Sequence, residues 1–219
     1  MATAIGILGG TFNPIHIGHL RGAIEARERL GLERLVLLPA AAPPLKDAPT
    51  VTPRHRAAMV ELAIRGVPGF ELDDRELRRE GPSYTVDTLR EWRSELGDHV
   101  SLTFIMGSDS LCSLDRWSRW QTLLSLANVA ILERATGIGG VPDGVSAWLE
   151  AHNAAAGTLR NSAHGRIAMI RQPPLTVSST DLRERLTSGS DVRFLLPDPV
   201  IEYIAMHDLY SFTKAPGKP

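Results

Sequence analysis

Short apolar runs alternate with amphipathic stretches along most of the chain. Five runs have the length and composition of buried strands: AIGILGG (4–10), RLVLLP (34–39), SLTFIMG (101–107), NVAILER (128–134) and RIAMIR (166–171). Apolar residues recur at helical spacing in four further segments: GHLRGAIEARERLGL (18–32), RHRAAMVELAIRG (54–66), YTVDTLREWRSELG (84–97) and WSRWQTLLSLA (117–127). Largely apolar strands separated by helices are typical of a parallel sheet that is covered on both faces.

The fold class is therefore predicted to be α/β, an open doubly wound (Rossmann-like) parallel sheet with helices on both faces. Ligands of such sheets bind beyond the carboxyl ends of the strands. We expect a single domain over residues 1–212 with a small C-terminal helical part at about 178–210, followed by a disordered tail over 213–219. The segment 39–55, rich in proline and alanine, predicts a long loop, and 135–165 is interpreted as an insertion between strands with one short helix at most.

Composition and charge narrow the class of protein. The chain has 219 residues, of which 43% are hydrophobic and 22% charged, with a formal net charge of −1, so no overall basic field is present to hold a nucleic acid. Cys112 is the single cysteine and cannot form an internal disulfide. No secretion signal is recognisable, and no apolar run reaches the roughly 18 residues that a membrane span needs. We therefore expect a cytoplasmic protein without nucleic-acid or membrane partners; the oligomeric state, including a homo-oligomer, stays open.

The stretch GGTFNPIHIGHL, which begins at Gly9, marks the change from the first strand to the first helix. Gly9 and Gly10 carry no side chains, so backbone N–H groups there can approach an anion closely. Gly18 leaves room for a phosphate over the first helical turn, where free amides and the helix dipole favour negative charge. His16 and His19 are three residues apart and share one helical face, from which both imidazoles can donate to phosphate oxygens. The alternative is that one histidine caps the helix and the other packs in the core.

A second anion site is predicted at VSSTDLRERL (177–186). Ser178, Ser179 and Thr180 offer hydroxyl groups at a helix start, and Arg183 follows one turn later. The alternative is a capped surface helix with a solvated arginine. Two anion sites at one sheet suit a triphosphate better than a single phosphate.

These motifs occur in a chain that resembles the bacterial nicotinate-nucleotide adenylyltransferases of the HxGH nucleotidyltransferase superfamily. The resemblance spans nearly the whole sequence. Besides the two stretches above, it rests on PPLK (43–46), RAAMVELA (56–63), SYTVDTL (83–89), GSDSL (107–111) and LPDPVIEYIAMHDLY (196–210). The first motif alone indicates only the superfamily, whereas SYTVDTL and GSDSL followed by Trp117 indicate the nicotinate branch. Asn13 departs from the aspartate that many members carry, and Ala135 from a frequent proline.

The resemblance implies roles for individual residues. It implies that His16 and His19 contact the ATP phosphates, with His19 stabilising the transition state at the α-phosphate. Lys46 and Arg183 resemble residues that steady the β- and γ-phosphates and the departing pyrophosphate. Asp109 is similar to the contact with the adenosine ribose. The whole implied ATP-binding set comprises Gly9, Gly10, Thr11, Phe12, Gly18, Gly107, Asp109, Ser179 and Thr180.

The acceptor is implied to bind at three other positions. Trp117 resembles the residue that stacks on the pyridine ring, Thr85 marks the backbone amides that reach its carboxylate, and Arg134 resembles a contact for the mononucleotide phosphate. Free amides at a helix beginning near Thr85 suit such an anion. Alternatives stay open: Trp117 as a packing residue, Asp109 as a helix cap and Lys46 as a solvated side chain.

The implied reaction is adenylyl transfer from ATP to nicotinate mononucleotide, which gives nicotinate adenine dinucleotide and pyrophosphate in NAD biosynthesis. Mg²⁺ is expected to arrive with ATP, held by phosphates and water, and no protein metal site is predicted. The alternatives are a sister nucleotidyltransferase using nicotinamide mononucleotide or phosphopantetheine, and a catalytically silent nucleotide-binding protein. An aminoacyl-tRNA synthetase is disfavoured, because the chain is too short for a tRNA-reading module and lacks the Lys-Met-Ser-Lys-Ser type of loop.

Overall fold

Six parallel strands form one sheet in the order β3-β2-β1-β4-β5-β6. The structure is a computed structural model and describes residues 3–41, 49, 51–133 and 140–211. The strands are β1 (Ala4–Gly10), β2 (Arg34–Pro39), β3 (Phe70–Leu72), β4 (Ser101–Gly107), β5 (Asn128–Glu133) and β6 (Ile167–Arg171). The strand order reverses between β1 and β4, and that reversal opens a crevice at their carboxyl ends. The doubly wound α/β class predicted from the sequence is confirmed.

Helices cover both faces of this sheet. They are α1 (Ile17–Leu30), α2 (Pro53–Ile64), α3 (Thr85–Leu96), α4 (Asp143–His152), α5 (Ser179–Ser188) and α6 (Asp198–Met206). One apolar core joins α1, α2, α5 and α6 to the sheet, and a second core on the opposite face joins α3 and α4 to it. Successive strand residues alternate between the cores; for example, Phe104 and Met106 belong to one and Ile105 to the other.

The first helix is held in a defined position at the crevice. It begins after the N-cap His16 and ends at Gly31, which adopts φ 63° and donates its N–H to the carbonyls of the last turn. At Gly22 a Cβ atom would lie only 3.0 Å from Leu132 Cδ1, so α1 packs closely on β5. The first turn of α1 therefore lies beside the carboxyl end of the sheet.

Three expectations from the sequence need correction. Residues 117–127 do not form an α-helix: only a 3-10 helix over Trp120–Ser125 forms, because Arg119 adopts the left-handed conformation at φ 51° and interrupts a regular helix. The short edge strand β3 was not predicted, since its three residues are only half-buried. Within 135–165, the described part contains α4, which buries Val145 and Trp148 in the core and forms the crossover between β5 and β6. The described part of that segment is thus a crossover packed into the core and not an insertion.

Some expectations fall on parts of the chain that the structure leaves undescribed. The tail 213–219 and, within the loop 39–55, residues 42–48 and 50 lie outside the described residues. Among the residues that are described, no helix has both the length and the apolar content that crossing a bilayer requires.

Candidate active site

Two neighbouring cavities open at the carboxyl ends of the central strands. The larger has a volume of about 550 Å³ and the smaller about 250 Å³. Five residues line both cavities: Gly9, Gly10, Thr11, Asp109 and Ser110. The shared wall consists of the residues that follow β1 and β4. Two ligands bound in these cavities would therefore meet at the strand-order reversal.

His16 and His19 cap α1 and line the larger cavity at the same time. His16 Nδ1 accepts the N–H of Gly18 at 3.1 Å, and His19 Nδ1 accepts the N–H of His16 at 3.3 Å. The two rings lie 3.7 Å apart between centroids, and His16 is 1% exposed. Because each Nδ1 accepts a hydrogen bond, the neutral ring carries its proton on Nε2. The capping interpretation is correct for His16. Capping does not exclude a role in the cavity, because both imidazoles form part of the cavity wall.

Two glycines of the first motif make room for ring side chains. A Cβ at Gly10 would lie 2.8 Å from the ring of Phe12, and a Cβ at Gly18 would lie 3.0 Å from the imidazole of His16. Phe12 itself adopts φ 47°, is buried, and meets the His19 ring edge-on at 5.1 Å. These glycines therefore allow Phe12 and His16 to take their places.

The start of α5 docks on the first motif across more than 160 residues of sequence. Ser179 Oγ donates to the carbonyl of Pro14 at 3.1 Å, and Arg183 Nη1 donates to the carbonyl of Asn13 at 2.9 Å. Arg183 Nη2 also donates to Thr180 Oγ1 at 3.1 Å. Ser179, Thr180 and Arg183 line the larger cavity. The alternative of a solvated surface arginine is wrong, because Arg183 is half-buried and held at both ends of its guanidinium group.

Tyr210 supports the same turn from the end of the described chain. Its hydroxyl donates to Asn13 Oδ1 at 2.7 Å, and Asn13 is 7% exposed. Burial raises the pKa of the Tyr210 phenol well above its ordinary value of 10.0. The sequence did not indicate this role for Tyr210. A buried turn residue such as Asn13 needs a hydrogen-bond partner, but sequence alone does not say which residue provides it.

The smaller cavity combines an aromatic wall with a helix start. Trp117 is half-buried, and its ring meets the Phe104 ring edge-on at 6.4 Å between centroids. It therefore packs against the core and lines the cavity at the same time. Thr85 is the first residue of α3, whose N-cap Tyr84 makes no side-chain capping bond. The amides of this first helical turn therefore lie at the cavity wall without a capping side chain.

Glu76 is a site residue that the sequence did not reveal. It lines the smaller cavity, is 5% exposed, and its Oε1 accepts the hydroxyl hydrogen of Thr88 at 2.7 Å. Burial raises the pKa of this carboxyl above 4.5, partly opposed by the hydrogen bond from Thr88. Because most residues over 73–80 are charged, the sequence predicts an exposed segment there and gives no sign that Glu76 is buried.

Asp109 is exposed and lines both cavities. It is the second residue of the 3-10 helix Ser108–Arg116, whose N-cap is Gly107, so the helix-cap alternative does not describe it. Gly107 lines the larger cavity. Lys46 and Arg134 lie outside the described residues. Over the described ranges, no three His, Cys, Asp or Glu side chains are grouped as metal ligands.

Comparison with known proteins assigns this arrangement to a class. Residues 7–185 match the cytidylyltransferase-like family, to which the chain belongs. A probable nicotinate-nucleotide adenylyltransferase of Pseudomonas entomophila is 46% identical over 206 residues, 94% of each chain. Its counterpart in Pseudomonas syringae pv. tomato is 44% identical over 98% of this chain and 97% of its own. Within the wider family, the chain therefore belongs to the nicotinate-nucleotide adenylyltransferases, which are nucleotidyltransferases, and the resemblance found in the sequence is confirmed.

The fold has solved counterparts. Nicotinic acid mononucleotide adenylyltransferase of Plasmodium falciparum, in a structure described as complexed with NaAD, superposes with a TM-score of 0.71. The two chains are 20% identical, and the alignment covers 95% of this chain and 97% of that one. At this identity the likeness supports the fold alone.

Removing the Tyr210 hydroxyl should destabilise the turn. Tyr210→Phe leaves Asn13 Oδ1 buried without its donor, and we expect a loss of about 1 kcal/mol in the free energy of unfolding. Urea denaturation followed by circular dichroism measures it. Tyr203→Phe is the matched control, since it removes a hydroxyl that bonds His55 Nδ1 at 2.9 Å. Nucleoside-triphosphate binding should weaken in Tyr210→Phe and not in Tyr203→Phe; equal binding in both would contradict the role of Tyr210 in the turn.

Glu76 and Glu71 should give opposite pH dependences of stability. Because burial raises the pKa of Glu76, the folded state keeps a proton that the unfolded chain releases near 4.5, so stability falls as pH rises through this range. Glu76→Gln removes that loss and should gain stability relative to the wild type as pH rises above 4.5.

Glu71 supplies the contrast. The hydrogen bond from Arg34 holds the pKa of Glu71 below 4.5, so its contribution is present above that value and is lost as pH falls. Glu71→Gln should therefore lose stability at neutral pH and approach the wild type in acid. Urea unfolding across the pH range measures both variants, and parallel pH profiles for the two would contradict the assignment.

Proposed function

We propose that the protein transfers the adenylyl group of ATP to nicotinate mononucleotide, giving nicotinate adenine dinucleotide and pyrophosphate in the cytoplasm. The observation that carries this proposal is the pair of cavities with a shared wall. One cavity presents imidazole, hydroxyl and guanidinium groups suited to a triphosphate, and the other presents an aromatic ring and a helix start suited to an acidic heterocycle. The family membership and the names of the relatives point the same way.

In the proposed complex ATP occupies the larger cavity. His16 and His19 donate from Nε2 to phosphate oxygens, with His19 at the α-phosphate, where negative charge develops in the transition state. Arg183, together with Ser179 and Thr180, receives the β- and γ-phosphates. Lys46 is proposed to join them, and Asp109 to accept a ribose hydroxyl. Donors fixed in place before the substrate binds need little reorganisation during reaction, which is the main source of such stabilisation.

The acceptor is proposed to occupy the smaller cavity. The pyridine ring stacks on Trp117, and the first-turn amides of α3 at Thr85 bind its carboxylate. Arg134 is proposed to bind the acceptor phosphate. In this proposal the acceptor phosphate lies beside the α-phosphate of ATP, at the wall formed by Gly9, Gly10 and Thr11.

The reaction needs no covalent enzyme intermediate. An oxygen of the acceptor phosphate, already anionic at neutral pH, attacks the α-phosphorus, and the bond from that phosphorus to the oxygen bridging to the β-phosphate breaks. Pyrophosphate leaves with the electron pair of that bond. The residues contribute alignment and charge neutralisation, as in other phosphoryl transfers. Mg²⁺ is treated as part of the substrate: Asp109 is the one carboxylate among the described residues that line the larger cavity, so phosphates and water would hold the ion.

The direct test mixes the purified chain with MgATP and, separately, nicotinate mononucleotide, nicotinamide mononucleotide or phosphopantetheine. Pyrophosphate release gives the rate, and mass spectrometry identifies the product. We expect the highest kcat/KM with nicotinate mononucleotide. Preference for another acceptor would transfer the assignment to a sister enzyme, and ATP binding without turnover on any acceptor would favour a silent nucleotide-binding protein.

Substitution of His19 separates its capping role from its chemical role. His19→Ala removes both the acceptor for the His16 N–H and the imidazole, so we expect kcat to fall on the order of 10²–10³-fold with a small loss of stability. Glutamine is favoured at this third helical position because its side chain can restore the capping bond. His19→Gln should therefore regain stability while kcat stays low. Recovery of wild-type kcat in His19→Gln would show that only the cap matters.

Trp117 should affect one substrate selectively. Trp117→Ala is expected to raise KM for nicotinate mononucleotide about tenfold or more, since stacking on an aromatic side chain contributes about 1–3 kcal/mol per base. KM for ATP should change little. Trp120→Ala is the matched control, because Trp120 lies in the same connection but packs against Trp148 at 5.4 Å. Steady-state kinetics with each substrate varied in turn gives both KM values. Equal effects of the two substitutions on the acceptor KM would refute stacking on Trp117.

A further inference from the structure

Arg56 is a fully buried arginine that lies behind the wall shared by the two cavities. It belongs to α2 and has 0% exposure. Its Nη1 donates to the carbonyls of Thr11 and Ala40, each at 2.7 Å, and its Nη2 donates to the carbonyl of Ala41 at 2.9 Å. Among the described residues, no carboxylate forms an ion pair with it. Its acceptors are thus all backbone carbonyls.

The environment of Arg56 is costly for a guanidinium group. Within the described part of the chain this buried charge faces carbonyl dipoles and no carboxylate, and its Nε has no hydrogen-bond partner there. Burial lowers the pKa of Arg56, yet an arginine keeps its proton in proteins. An apolar side chain of similar length could fill the same space without this cost. The particular property of arginine here is its planar fork, which fixes several acceptors in one geometry.

The three carbonyls belong to the exits of two neighbouring strands. Thr11 follows β1 and lines both cavities, and Ala40 follows β2 and lines the smaller one. Ala40 also donates its N–H to the carbonyl of Gly10 at 2.9 Å, which ties the two exits directly. Ala41 is the last described residue before the segment that contains Lys46.

We infer that Arg56 is a positioning residue for the transfer. Its guanidinium fork fixes the backbone at Thr11, Ala40 and Ala41, and this backbone in turn fixes the wall that aligns ATP. The inference rests on the proposed function for its kinetic consequences. Arg56 itself is not among the residues lining either cavity. Its effect is therefore transmitted through the backbone and should appear with both substrates, because Thr11 lines both cavities and Ala40 lines the smaller one.

Arg93 offers a matched comparison at the other end of the sheet. It is 8% exposed and donates to the carbonyls of four residues: Gly97, Val100, Leu126 and Ala163. Val100 directly precedes β4, and Leu126 lies two residues before β5. The same chemistry thus joins loops at the amino ends of the strands, far from the cavities. A purely structural effect should be the same for both arginines.

The experiment compares Arg56→Lys and Arg93→Lys in the full chain. Lysine keeps the charge and loses the fork. Thermal unfolding is measured first, and kinetics are then run at a temperature where both variants remain folded. We expect both to lose thermal stability, but only Arg56→Lys to lower kcat/KM for MgATP, by about 10- to 100-fold, as a small misplacement of reacting groups does. The kcat/KM for the acceptor should fall in Arg56→Lys as well, whereas all constants in Arg93→Lys should stay within about twofold of the wild type.

Two results would overturn the inference: wild-type kinetic constants in folded Arg56→Lys, or an equal loss of kcat/KM in Arg93→Lys. If Arg56→Lys does not fold, Arg56→Gln, which removes the buried charge but keeps N–H donors, is measured by the same criteria. Calorimetric titration with a non-hydrolysable ATP analogue gives a readout independent of turnover, with weakening of about tenfold expected for the Arg56 variant only. A wild-type chain that binds the analogue without releasing pyrophosphate would refute the proposed function, while this binding difference would still decide the role of Arg56.

Discussion

The organisation of the crevice depends on hydrogen bonds to the turn between β1 and α1. Carbonyls of this turn receive donors from side chains remote in sequence: Arg56 at Thr11, Arg183 at Asn13 and Ser179 at Pro14. Tyr210 adds a bond to the side chain of Asn13. Helices on the first core face, together with Tyr210, thus contact three residues of one turn, Thr11, Asn13 and Pro14. A turn without regular secondary structure needs such partners for its backbone, because buried carbonyls that lose contact with water must be satisfied by other donors.

In the histidine pair a local structural requirement coincides with the proposed function. Both Nδ1 atoms are used by backbone amides at the start of α1, and this fixes which nitrogen carries the proton in the neutral ring. The tautomer is therefore set by the fold before any ligand is bound. A catalytic donor that already has its proton and orientation does not lose entropy in acquiring them. The helix cap and the proposed phosphate donor are two functions of one arrangement.

Much of the fold could be predicted from the pattern of apolar residues, because nearly continuous buried strands and amphipathic helices differ strongly in period. The failures were local: Arg119 adopts a left-handed backbone that propensity does not show, and β3 is too short to have a period. The motifs pointed to the histidines and to Arg183, and the structure brings these side chains together. Arg56, Glu76 and Tyr210 could not be assigned in this way, although Arg56 and Tyr210 lie within recognised motifs. Their importance comes from contacts with residues that are distant along the chain, and a charged residue predicts exposure unless such partners are known.

The wall common to the two cavities also bears on how a joined ligand would leave. A dinucleotide with one half in each cavity is held as a tethered pair, so when one half detaches the other keeps it at a high effective concentration. Its residence time would then exceed that of either mononucleotide, without a single additional contact. Release of the dinucleotide would require both halves to be detached at the same time. The turnover rate would then depend on product release as much as on bond formation.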